Sequence, residues 1–168
     1  MPIKTREPKF VEADTELCTG CTVCEFACAL EKDGKFSPLR SRIRAIRIYP
    51  HSDIAIACRV CEDAPCVTAC PRKALVQSEE TGLIIIDDDK CDGCGWCVEA
   101  CDFGAVTIHP DTRKAIFCDL CQDREGGPAC IEFCPPEALS LVSRGTVAAK
   151  SRIDAAKKLF AAAEDAKS

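Results

Sequence analysis

Cysteine thiolates are strong ligands for iron and zinc, and this chain carries sixteen of them in four runs of four. Cys18, Cys21, Cys24 and Cys28 follow the spacing C-x2-C-x2-C-x3-C, and Cys91, Cys94, Cys97 and Cys101 repeat it. Cys58, Cys61, Cys66 and Cys70 follow C-x2-C-x4-C-x3-C-P, and Cys118, Cys121, Cys130 and Cys134 follow C-x2-C-x8-C-x3-C-P. Three thiolates on one tight loop can all aim inward at a single polynuclear centre. The fourth stands one helical turn after the third, on the same helix face, and so points away from that loop toward a neighbouring centre. A short helix at that place also turns its N-terminal N–H groups toward an anionic group. The chemistry this spacing serves is metal–sulfur ligation.

The stretch from Ala57 to Asp102, which holds the second and third runs, resembles a bacterial ferredoxin with two [4Fe–4S] clusters. In that pattern the first three cysteines of a run bind one cluster and the fourth crosses to the other. Runs two and three make one contiguous ferredoxin unit. Runs four and one have the same order of types, as if a second ferredoxin had been opened and the first inserted into it. On this reading Cys18, Cys21, Cys24 and Cys134 bind one cluster, and Cys118, Cys121, Cys130 and Cys28 bind a second. Cys58, Cys61, Cys66 and Cys101 bind a third, and Cys91, Cys94, Cys97 and Cys70 a fourth. Sequential pairing of runs one and two is the alternative. Zinc competes as the metal, because C-x2-C pairs also build zinc ribbons. It gives no reason for a third cysteine two residues on, or for the proline after the fourth. Disulfides do not require groups of four.

All four runs together resemble the four-cluster iron–sulfur subunit of the dimethyl sulfoxide reductase type, over about residues 8–142. The fourth run, with C-D-L-C, P-A-C-x3-C-P and its Ala138-Leu139 exit, carries much of that likeness. Related small subunits serve formate dehydrogenases, hydrogenases and polysulfide reductases, and family members use the crossed pairing given above. Many are longer or carry a tail that docks on a membrane anchor. This shorter chain looks more like the electron-transfer subunit that accompanies tungsten-dependent aldehyde oxidoreductases. The resemblance implies a non-catalytic subunit with four [4Fe–4S] clusters. It would carry electrons between a large Mo- or W-pterin subunit and a flavoprotein or other electron carrier. A free polyferredoxin and a subunit of hydrogenase or formate dehydrogenase are alternatives, and an iron–sulfur redox sensor is a more distant one.

The remaining sequence excludes several classes. A formal net charge of −5 argues against nucleic acid as a partner. No apolar run approaches the length of a membrane span. The N-terminus M-P-I-K-T-R-E-P-K shows neither an apolar signal core nor a twin-arginine pair, so a cytoplasmic location is expected. No Ser/His/Asp set, phosphate loop or dinucleotide fingerprint appears, so no substrate chemistry is expected. One Trp, one Tyr and seven Phe are few large core residues, so bound clusters would supply much of the interior.

The elements that must hold the runs are short. Lys9–Asp14 reads as a strand of the outer unit and Leu83–Ile86 as a strand of the inner one. Ala105–Ile108 and Ala115–Phe117 read as short strands about the turn Pro110-Asp111-Thr112. Gly20 and Gly93 precede the second cysteine of their runs, where a missing side chain lets backbone approach a cluster. Asp14 and Asp87 each lie four residues before a run. The long gap of run four, with Gly126, Gly127 and Pro128, reads as a loop. Arg40, Arg42, Arg44 and Arg47 surround Ile43, Ile46 and Ile48 in a strand leading to Tyr49-Pro50. That pattern suits a basic docking surface or, more simply, an edge strand guarded by solvated charge. His51 and His109, in turns beside prolines, read as solvated, and Trp96 as packing over a cluster. Residues 146–163 read as an alanine-rich helix with Val147, Ile153, Leu159 and Phe160 apolar and Lys150, Arg152, Lys157 and Lys158 polar. The ferredoxin units do not require this helix; it would pack on its own chain, grip a partner, or mediate self-association.

The fold expected is α+β: two ferredoxin-like units, one inserted in the other, around four clusters in a row, with a C-terminal helix. Residues 8–32 plus 112–142 form the outer unit and 55–108 the inner one. Residues 33–54 are a linking strand and 143–168 a helical tail.

Overall fold

Short apolar stretches broken by Pro, Gly and Cys turns leave little room for long elements. The computed structural model, which describes residues 7–48 and 52–165, is accordingly built from two-stranded sheets and single-turn helices, with longer helices only at Val23–Asp33 and Arg144–Asp165. Strand β1 (Lys9–Ala13) pairs antiparallel with the last strand, β8 (Leu139–Ser143), so that Lys9 faces Ser143 and Ala13 faces Leu139. Between them β2 (Ile43–Ile48) pairs with β3 (Ser52–Ala57), β4 (Leu75–Gln77) with β5 (Ile84–Ile86), and β6 (Thr107–Ile108) with β7 (Ala115–Ile116), all antiparallel. Each cysteine run ends on a helix: α1 (Val23–Asp33), α2 (Pro65–Thr68), α3 (Trp96–Glu99) and α4 (Ala129–Glu132). Helices α2 and α4 stop where Pro71 and Pro135 follow the fourth cysteine, since proline disfavours helix at the residue before it. Helix α1 continues past Cys28 until Gly34, whose left-handed backbone (φ 64°) returns its N–H to Leu30.

Three apolar clusters support these pieces. One lies under Cys24 and Cys130, with Val11, Ile43, Ala57 and Leu139. Another lies under Cys66 and Cys97, with Leu75, Ile84, Val106 and Phe117. The third, of Phe10, Val60 and Leu83, joins β1 to the turn before β5. Alanine and cysteine make up much of the first two, as a chain poor in large apolar residues requires.

The linking segment differs from its sequence reading. The side chains of Arg40, Arg42 and Arg44 are 11, 17 and 23% exposed, so they form neither a docking surface nor a solvated guard. Arg40 and Arg42 face Asp33 at 3.4 and 3.5 Å, Arg44 faces Glu25 at 3.9 Å, and Arg40 also pairs with Asp111. Of the four, Arg47 alone is mostly exposed, and it pairs with Asp53. His109 is buried rather than solvated. Its Nδ1 accepts the backbone N–H groups of Asp111 and Thr112, which leaves Nε2 to donate to Asp33 Oδ2 at 2.7 Å. Burial pushes the Asp33 carboxyl up, but the His109 hydrogen bond and the Arg42 and Arg40 guanidinium groups outweigh it and hold it below the usual range. This network ties the end of α1 to the β6–β7 turn. Tyr49, Pro50 and His51 lie outside the described residues.

Helix α5 (Arg144–Asp165) starts against its own chain. Gly145 N–H donates to Glu7 Oε1 at 2.6 Å, Val147 packs on the Phe10 cluster, and Lys150 meets Asp14 at 3.3 Å. Farther along, Ile153 and Leu159 are exposed. Among the described residues no helix is long and apolar enough to cross a membrane.

Candidate metal centres

All four C-x2-C loops turn the same way. The residue before the second cysteine has left-handed backbone at Gly20 (φ 61°), Val60 (51°), Gly93 (70°) and Leu120 (57°). Glycine adopts this region freely, whereas a β-branched residue is strained there. Burial holds Val60, which is 1% exposed, and Leu120 packs against two of the apolar clusters. Gly20 and Gly93 also need their space, but for a neighbouring hairpin. A β-carbon on Gly20 would stand 2.5 Å from the Asp53 carboxylate, and one on Gly93 would overlap the Arg113 carbonyl oxygen. Asp14 and Asp87 shape the approach to their runs. The carbonyl of each accepts the N–H of the first cysteine, at 2.9 and 3.1 Å. Each Oδ1 accepts the N–H two residues on.

The fourth cysteines share another local device. Lys73 (φ 51°), Gly104 (60°) and Glu137 (52°) make left-handed turns three residues after Cys70, Cys101 and Cys134. In two of these runs the turn brings the next N–H back to sulfur: Ala74 to Cys70 at 3.3 Å and Ala105 to Cys101 at 3.4 Å. Where α1 runs on instead, Arg42 N–H reaches Cys28 at 3.3 Å from the linking segment.

The sixteen thiols, all free of disulfides, gather into four groups. Cys18, Cys21, Cys24 and Cys134 line a small cavity walled by Ala45, Ala55 and Leu139. Cys58, Cys61, Cys66 and Cys101 line another with Ile84 and Val106. Cys70, Cys91, Cys94 and Cys97 line a third with Leu75, Ile108 and the exposed Trp96. Cys28 on α1 packs in one apolar cluster with Cys118 and Cys130, where α1 meets α4, and with Cys121 these make a fourth group. The apolar cluster that holds Cys28, Cys118 and Cys130 also holds Cys24 and Cys134, and Leu120, beside Cys121, packs on the Phe10 cluster with Cys58, which puts this group between the Cys18 and Cys58 groups. Helices α2 and α3, in contact with each other, join the Cys58 and Cys91 groups. The groups therefore follow the order Cys18, Cys118, Cys58, Cys91. Cys21 and Cys94 are the exposed cysteines of the chain, and they sit in the two end groups.

Burial pushes the thiols of Cys66 and Cys97 up to about 11 and those of Cys24 and Cys118 to about 12. Neighbouring cysteine charge adds to the rise, so these thiols stay protonated at neutral pH until a metal displaces the proton. Among the described residues no three His, Cys, Asp or Glu side chains are grouped to hold a metal ion. Four thiols around one small apolar cavity fit a [4Fe–4S] cluster, which takes four thiolate ligands.

Several side chains around these groups escaped the sequence reading. Lys32, 12% exposed, pairs with Asp119 beside Cys121, and Arg59 lies over the rings of Phe10 (4.8 Å) and Phe103 (5.8 Å). Arg59 stands within a C-x2-C loop and could have been noticed there. Lys32 has no local signal.

Comparison with known families bears on the same cavities. The model of the 4Fe-4S dicluster domain matches residues 52–144, more than half of the chain. The chain belongs to the 4Fe-4S dicluster domain family. It is 44% identical over 140 residues to the putative electron transport protein YsaA of Escherichia coli K12, covering 78% of this chain and 87% of that one. It is 37% identical over 134 residues to the polyferredoxin-like subunit of an aliphatic sulfonate oxidoreductase of Pyrococcus furiosus, covering 80% and 76%. It is 35% identical over 161 residues to the electron transport protein HydN of Escherichia coli K12, covering 81% and 89%. Among solved structures it resembles a chain of the active site complex BamBC of benzoyl coenzyme A reductase, with TM-score 0.50, 22% identity, and coverage of 83% and 79%. That likeness is one of fold. The dicluster chain described here is thus an iron–sulfur protein of ferredoxin-like, electron-transport kin, and its four-thiolate groups fit the family's cluster.

Proposed function

We propose that the chain is a non-catalytic electron-transfer subunit holding four [4Fe–4S] clusters, one in each of the four cysteine groups. In this reading an inner ferredoxin-like unit, residues 55–108, is inserted into an outer one formed by residues 8–32 and 112–142. Pairing of β1 with β8, and the exchange of Cys28 and Cys134 between the first and last runs, support that reading.

When bound, each cluster would supply a one-electron carrier whose net charge changes by one. The chain's residues determine how that charge is held. The left-handed C-x2-C turns aim the sulfurs, the N–H groups of Ala74, Ala105 and Arg42 stabilise charge on Cys70, Cys101 and Cys28, and the apolar walls keep water away. One observation carries the wire reading. The exposed cysteines, Cys21 and Cys94, hold equivalent places at opposite ends of the order, while the cysteines of the middle groups are partly or wholly buried. Such a chain has two ports.

A large Mo- or W-pterin subunit at one port, with a tungsten aldehyde oxidoreductase favoured, and a flavoprotein or other carrier at the second complete the proposal, in the cytoplasm. The printed name of the Pyrococcus furiosus relative, a subunit of an oxidoreductase, supports a fixed catalytic partner. YsaA and HydN are named as electron transport proteins, and a free polyferredoxin is the second reading. Purifying the tagged chain from its own cells without oxygen, and measuring co-eluting metals, decides between them. Tungsten or molybdenum with abundant iron supports the pterin partner, and iron alone supports the free carrier. Nickel points to hydrogenase. Zinc without iron overturns the cluster assignment.

A further inference from the structure

The Cys58–Cys61 loop is built unlike its three counterparts. Its left-handed position is occupied by a β-branched residue, Val60, which has the highest steric cost there. Leu83 and Phe10 bury the Val60 side chain, and its γ-methyl stands where a β-carbon on Gly82 would be only 2.6 Å away. A side chain from the far end of the sequence holds its carbonyl. Arg144, the first residue of α5, donates through Nη2 to Val60 O and through Nη1 to Glu62 Oε2 at 3.3 Å. The guanidinium thus lies against the peptide that joins the two cysteines. Arg59, in the same loop, is committed elsewhere, stacked between Phe10 and Phe103 and 3.7 Å from Glu12.

We infer that Arg144 is a positioning residue for the Cys58 group: it clamps the strained Val60 peptide and places a positive charge that stabilises the reduced form of the cluster held there. This rests on the proposal that the group holds a [4Fe–4S] cluster. Cluster potentials respond to nearby charge and hydrogen bonding, and a cation beside a centre favours added negative charge. The C-terminal helix is therefore part of one redox site, because its first residue completes the loop. Glu62 opposes it, since it pairs with the same guanidinium and carries charge of the opposite sign.

Anaerobic redox titrations of the full-length, iron-loaded chain, followed by electron paramagnetic resonance, test the inference. Wild type is compared with Arg144→Met, Arg144→Lys and Glu62→Gln, with iron per chain measured for each. Arg144→Met should move one midpoint to lower potential with iron unchanged. Arg144→Lys should recover part of that shift, and Glu62→Gln should move the same midpoint upward. A Cys61→Ser variant, which should alter that same signal, assigns it to this group. Unchanged midpoints in Arg144→Met, or equal shifts of all of them, overturn the inference while the cluster assignment stands. A wild-type chain that takes up no iron would instead overturn the underlying proposal.

Discussion

Replacing Gly93 by alanine should disrupt the Cys91 group far more than the same change two residues away, and the structure gives the expected difference. Both Gly93 (φ 70°) and Gly95 (φ 87°) have left-handed backbone, so alanine at either carries a strain of about 1–2 kcal/mol. Nothing lies within 4 Å of a β-carbon on Gly95, so strain is its whole cost. A β-carbon on Gly93 would overlap the Arg113 carbonyl oxygen and lie 3.0 Å from its carbon. Backbone cannot swing aside as a side chain can, so the β6–β7 turn must move bodily. That displacement strains the Arg113 N–H bond to His109 O and the bond from Lys114 Nζ to Cys91 O. At about 1 kcal/mol for each such bond, the total reaches about 3–4 kcal/mol. Gly20→Ala falls between, because the obstruction there is the Asp53 side chain, whose exposed pair with Arg47 is worth at most about 1 kcal/mol. For a domain of this size the gap of about 2 kcal/mol between Gly93→Ala and Gly95→Ala corresponds to about 4–8 °C in melting temperature. Anaerobic melting followed by cluster absorbance, with iron per chain determined beforehand, measures it. Refutation would be a Gly93→Ala chain that keeps all its iron and melts within about 2 °C of Gly95→Ala.

Two further outcomes are expected. Cys28→Ser should remove or alter the resonance of a single cluster, the one assigned to Cys118, Cys121 and Cys130, and should lower iron by at most about a quarter; loss of the Cys58-group signal instead would favour sequential pairing of the first two runs. Asp33→Asn should cost about 3 kcal/mol by leaving Arg40, Arg42 and His109 around a neutral group. Because the Asp33 carboxyl is held below its ordinary value, its contribution is present above the unfolded carboxylate range and lost as pH falls below about 4. Acid titrations of wild type and Asp33→Asn should therefore converge in stability at low pH, and parallel curves would contradict the assignment.

The cysteine spacing was the legible part of this chain, because metal-binding loops are local and their residue types are few. Short strands such as Ile84–Ile86 and Lys9–Ala13 were legible from apolar runs between turns. What the sequence obscured was long-range charge. Arg40, Arg42 and Arg44 alternate along and beside a strand as solvated guards would, but their counter-ions come from α1 and, for Arg40, also from Asp111. His109 in a proline turn gave no hint of Asp33, seventy-six residues away. Glycine before the second cysteine reads as room for a cluster, but it serves a left-handed turn and a neighbouring hairpin, and Val60 and Leu120 adopt the same turn against their propensity because burial outweighs the strain. The tail helix had a visible period but no visible anchor, since Arg144 acts through a carbonyl eighty-four residues earlier.

Reductive titration of the anaerobically purified chain, with iron and acid-labile sulfide measured on the same sample, tests the central claim most directly. The account predicts four iron and four sulfide for each of the four cysteine groups, and uptake of about four electrons per chain. A chain that binds zinc in place of iron, or accepts two electrons or fewer with its iron complete, would contradict it.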